Sequence, residues 1–96
     1  MPKAYVIVTE AISDPAGMEA YSRAAAPSLA AGGAKVLAVD SRPQVLEGGW
    51  HGDKTVVLEF ESPEAARAWY DSEGYSRAKP LRHAAADSNA VIISGF

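Results

Sequence analysis

Tyr75 and Arg82 stand seven residues apart. In a helix that is two turns, so a phenol and a guanidinium fall on one line. Ser72 lies one turn before Tyr75 and adds a hydroxyl. Such a line could hold a small carboxylate, because the guanidinium offers a two-pronged donor. Trp50 and Trp69 could supply the apolar walls that small-molecule pockets need. Tyr5, from the N-terminal segment, completes a ligand-binding set of Tyr5, Trp50, Trp69, Ser72, Tyr75 and Arg82. A plainer reading of the same residues makes Trp69 core, packs Tyr75 over it and pairs Arg82 with helix-end carbonyls or a nearby carboxylate.

His51 is the candidate for catalysis. Histidine is the usual general acid or base near neutral pH. It follows Trp50 in the glycine-flanked stretch "GGWHGD", and a loop held by a rigid scaffold is a common place for function. The same glycines also read simply as a turn. His83 follows Arg82 in a basic cluster with Arg77 and Lys79, which reads as a solvated face or as steering for a small anion.

Other chemistries find little support. The chain has no cysteine, which removes thiolate zinc sites, disulfides and a cysteine nucleophile. Its two histidines lie 32 positions apart, without a His-x-x-His or Glu-x-x-His pair, so no metal is expected. No Gly-x-Ser-x-Gly elbow occurs, and the glycine pairs Gly32–Gly33 and Gly48–Gly49 form no phosphate-cradling motif. No cofactor is therefore expected. With a formal charge of −3, the 96-residue chain has no basic field for nucleic acid. The apolar run of "MPKAYVIVTE" ends at Val8, too short for a signal peptide or for a membrane span of about 20 residues. A cytoplasmic protein of one domain, residues 1–96, is the expectation.

The elements that must position these groups can be read in order. "AYVIVT" is a β-branched strand. "SDPAG" opens a helix, with Asp14 as cap and Pro15 at its first position. Met18, Tyr21, Ala25 and Leu29 recur at helical spacing, Pro27 should kink or restart that helix, and Gly32–Gly33 end it. "AKVLAVD" is a second strand, which "QVLE" could extend. "KTVVLEF" is a third. Ser62 and Pro63 open a second helix, Gly74 interrupts it, and Tyr75–Ala86 reads as a short helical piece bent at Pro80. "NAVIISG" is the last strand. The order is ferredoxin-like βαββαβ, an α+β fold. It implies a four-stranded antiparallel sheet with two main helices on one face.

Both faces of that sheet are apolar. Tyr5 and Ile7 oppose Val6 and Val8; Val57 opposes Val56 and Leu58; Val91 and Ile93 oppose Ile92. The helices can cover one face only. A second copy of the same sheet, related by a two-fold axis, is the simplest cover for the other.

The stretch "LEGGWHGDKTVVLEFESPEAARAWYDSEGYSRAKPLRHAAADSNAVIISG" resembles the family known as domain of unknown function 1330. The likeness runs over nearly the whole chain, through the "LEG-W" loop, the "EF-S-EAA-AWY-S--Y" run and the arginine after it. It departs from the commoner "S-PEY" pattern at Ser72, Glu73, Gly74 and Tyr75. The resemblance implies a dimeric α+β barrel, two subunits meeting sheet to sheet. The wider superfamily includes cofactor-independent monooxygenases and isomerases, so the fold by itself selects no reaction. The residues thus point to a homodimer that binds a small organic acid between sheet and helices. A monooxygenase- or isomerase-like enzyme and a non-catalytic scaffold or sensor are the alternatives.

Overall fold

A computed structural model describes residues 2–96. The element order is β1 (Ala4–Ile12), α1 (Pro15–Ala31), β2 (Lys35–Asp40), β3 (Lys54–Phe60), α2 (Pro63–Tyr70), α3 (Glu73–Ala85) and β4 (Ala86–Ser94). The strands form one antiparallel sheet in the order β2-β3-β1-β4. This is the ferredoxin-like arrangement, with β1 and β3 in the middle and three helices in place of two.

Local chemistry sets the boundaries. The Asp14 carboxylate accepts from Gly17 N at 3.1 Å, and Pro15 follows in the first turn, where a missing N–H costs nothing. Pro27 neither ends nor restarts α1, which continues to Ala31. Ser62 caps α2 by accepting from Ala65 N. The break after α2 falls at Asp71–Ser72, not at Gly74, which lies inside α3. The expected short piece is a 13-residue helix that passes directly into β4. "QVLE" forms no strand; β2 instead carries an irregularity between Val36 and Ala38.

The strand alternation settles which residues face the helices. Ala4, Val6, Val8 and Glu10 of β1 are buried in turn, as are Leu58 and Phe60 of β3. Beneath the helices Trp69 anchors the core, with its ring 4.1 Å from that of Tyr75 and 5.3 Å from that of Phe60. The other face carries Tyr5, Ile7, Val57, Val91 and Ile93, in register with one another. Val91 is 51% exposed and Ile93 45%.

Candidate functional site

The inward face of β1 begins apolar and ends in a carboxylate. Glu10 is only 2% exposed. Its neighbour across β3 is Lys54 and its neighbour across β4 is Ser88, so one row of the sheet reads Lys54–Glu10–Ser88 on the helix side. Helix α3 delivers Arg82 to the end of this row. Arg82, also 2% exposed, donates from its guanidinium to Ser88 Oγ. Helix α1 delivers Tyr21, whose hydroxyl shares a 2.8 Å hydrogen bond with that of Tyr75, and Arg82 sits 5.9 Å from the Tyr21 ring centre.

A cavity of about 130 Å³ opens beside this row. Glu10, Lys54 and Tyr21 form its polar side, while Val8, Met18, Val56 and Trp69 are among its apolar walls. Burial raises the Glu10 carboxyl above its ordinary value, against the pull of the Lys54 and Arg82 cations. Burial and the neighbouring Tyr75 raise Tyr21 as well, so its phenol stays protonated. Two polar atoms of this buried cluster have no hydrogen-bond partner among the described residues: Glu10 Oε1 and Arg82 Nε. Buried polar groups are nearly always satisfied, so both atoms are polar groups held in the interior at an energetic cost.

The structure divides the ligand set expected from the sequence. Trp69, Tyr75 and Arg82 lie between sheet and helices, and Trp69 lines the cavity. Tyr5 does not: strand alternation turns it to the opposite face. Trp50 is on that far side too, donating from Nε1 to Thr55 Oγ1 at 2.9 Å. One pocket lined by all of these residues is therefore ruled out by the pleat of the sheet. Ser72 Oγ is engaged locally, accepting from Tyr75 N and donating to the Trp69 carbonyl at 2.7 Å. It borders a different groove, beside Ser28, Gly32 and Gly74.

His51 belongs to the far face as well. Its Nδ1 and Thr9 Oγ1 are hydrogen-bonded at 2.7 Å, and its Nε2 lies 3.6 Å from the Asp87 carboxylate. The loop is pinned there because Gly52, at φ +81°, passes so close to the Glu10 backbone that a Cβ would stand 2.5 Å from it. His83 is exposed. No three His, Asp or Glu side chains gather as a metal site among the described residues. No helix there is long and apolar enough to cross a membrane.

Sequence reasoning missed Glu10, Lys54, Tyr21 and Ser88 as a group. The signal was present in the alternation itself. Ala4, Val6, Val8, Glu10 and Lys54, Val56, Leu58, Phe60 are inward-facing sets, each broken by one charge at the same end of the sheet.

No curated protein matches the chain. Its fold is similar to that of a protein of unknown function from Rhodopseudomonas palustris, at 20% identity and a TM-score of 0.79, over 99% of this chain and 83% of that one. A dimeric ferredoxin-like protein of unknown function from Thermobifida fusca is 18% identical, with a TM-score of 0.65 over 97% and 91%. The cofactor-independent oxygenase SnoaB of Streptomyces nogalater is 12% identical, with a TM-score of 0.67 over 100% and 95%. These likenesses concern the fold. Residues 3–96 match the family described as domain of unknown function DUF1330, and the chain belongs to that family.

Proposed function

We propose that the protein is a homodimer, joined through its open sheet faces, in which each subunit binds a small organic acid in the cavity between α1 and the sheet. One observation carries the ligand reading. An acidic protein gathers two cations, Lys54 and Arg82, around a single carboxylate, Glu10, next to an apolar cavity. The local balance is one positive charge with Glu10 ionised, which suits a monoanion. A cavity of 150 Å³ holds a molecule the size of benzene, so about 130 Å³ suits a short-chain acid. Trp69 walls the site, while Tyr75 and Arg82 back it. The dimer reading rests on the apolar far face, which no helix among the described residues covers, and on the dimeric neighbour from Thermobifida fusca. Tyr5, Trp50 and His51 then belong to the interface side.

A second reading, oxidation without a cofactor, is favoured by one residue. Glu10 is a buried carboxyl with a raised pKa beside a cavity, the setting in which carboxylates act as general bases nearer neutral pH. The fold likeness to SnoaB is compatible with it. Both readings put the ligand in the same cavity. Titration with butyrate, followed by backbone amide shifts, tests them together. Perturbed amides should cluster at Glu10, Ala25, Lys54 and Val56.

A further inference from the structure

The two edges of the sheet are built differently. β2 forms one edge and β4 the other. β2 has six residues, carries a charge at each end in Lys35 and Asp40, and loses register between Val36 and Ala38. Shortness, charge and irregularity are the usual guards against pairing with another chain. β4 has nine residues in unbroken register with β1, no proline, and a single charge, Asp87, near its start. From Asn89 to Ser94 every residue is exposed. Its outer row of backbone N–H and C=O groups is therefore open to a further strand. A second copy stacked on the far face covers side chains and does not by itself pair this row.

The helix side of this edge is uncovered too. Ile92 turns toward the helices opposite Val6, yet it is 37% exposed where Val6 is 2%. Arg67 and Tyr70 of α2 join Val6, Ala90 and Ile92 in lining a groove there. Lys79 of α3 holds its ammonium 3.7 Å from the centre of the Tyr70 ring and enters no salt bridge among the described residues. Arg67 is already paired with Asp71 at 2.7 Å, so Lys79 is the uncompensated charge beside the groove. We infer that the β4 edge takes up an extended, acidic segment of another protein as a fifth strand. Backbone bonds to β4 hold the segment, one apolar side chain enters the groove, and a carboxylate two positions away on the same face meets Lys79. Charge favours this guest over a second copy. Antiparallel pairing of β4 with itself sets a two-fold axis at mid-strand. The groove flanks Ala90, Val91 and Ile92, so self-pairing there would bring the two Lys79 side chains toward each other across the seam, and like charges oppose that.

Titration with the peptide acetyl-Val-Thr-Glu-Thr-Val-Thr-amide, followed by backbone amide shifts, tests the assignment, since its valines and glutamate share one face. Shifts should appear along Ala90–Ile93 and at Arg67 and Tyr70. Lysine in place of the peptide's glutamate should weaken binding about threefold, the scale of one exposed charge pair. Lys79→Glu should reverse that preference. Ile92→Lys puts a charge into the groove and should weaken both peptides; should it fail to fold, Lys79→Glu keeps the test, because it changes only a part-exposed side chain of α3. Two further peptides, N-methylated on alternate residues, each lack N–H groups along one edge, and the one blocked on the edge facing β4 should not bind. Binding of both methylated peptides would overturn strand pairing. Equal affinity of the glutamate and lysine peptides for wild type would overturn the acidic guest. Shifts along β4 on raising the protein concentration alone would overturn the proposal in favour of a second copy. No binding of any peptide would overturn it outright.

Discussion

Glu10 is the residue on which the account turns, and its burial has a measurable consequence. Removing a carboxylate from water disfavours its charged form. Its folded pKa therefore lies above the unfolded value, near the ordinary 4.5. Below that value the group is protonated in both states and costs little. As pH rises through the raised folded value, the folded protein must keep the proton or bury the charge, and stability falls. Glu10→Gln removes this penalty. Its melting temperature should exceed that of wild type at pH 8, and the difference should shrink as pH falls to 4. A difference independent of pH would mean that Glu10 is not the buried ionisable group described here. Arg82 tempers the effect without reversing it, since its attraction and that of Lys54 are outweighed by desolvation.

The elements were largely legible in the sequence, because their ends carry explicit chemistry. Asp14–Pro15 and Ser62–Pro63 mark two helix starts, and the structure places caps at both. The third start was misplaced. Gly74 reads as a breaker, yet Ser72 is the cap, and a glycine in the second position of a helix is tolerated at a modest cost. Ser72→Ala should cost about 1 kcal/mol, within the 0.5–2 range for losing such a cap. The loss is read as a lower melting temperature with acid affinity unchanged, since Ser72 lies outside the Glu10 cavity. A loss of affinity with unchanged stability would return Ser72 to the ligand set. The site was less legible because helical spacing and sheet alternation had to be read together. Tyr75 and Arg82 were found along one helix. Their partners Glu10, Lys54 and Ser88 come from three strands, and only the register brings them into one row. Tyr5 stands between the inward Ala4 and Val6, but a shift of one position in a strand reverses the face, and Trp50 comes from the loop before β3, where it bonds the far-face Thr55.

The whole molecule leaves an apolar sheet face uncovered by its own helices, and the dimer reading assigns a second copy to it. Light scattering at micromolar concentration should then return about twice the single-chain mass of 10.1 kDa. A mass of one chain would leave Ile7, Val57, Val91 and Ile93 facing solvent and would contradict sheet-to-sheet association. That face and the Glu10 cavity lie on opposite sides of β1, so a ligand must choose between them. Amide shifts followed during a butyrate titration decide the matter most directly. The account predicts that the perturbed residues gather around Glu10, Ala25, Lys54 and Val56, while Trp50 and His51 stay still. Shifts confined to Trp50 and His51, or no shifts at all, would contradict it.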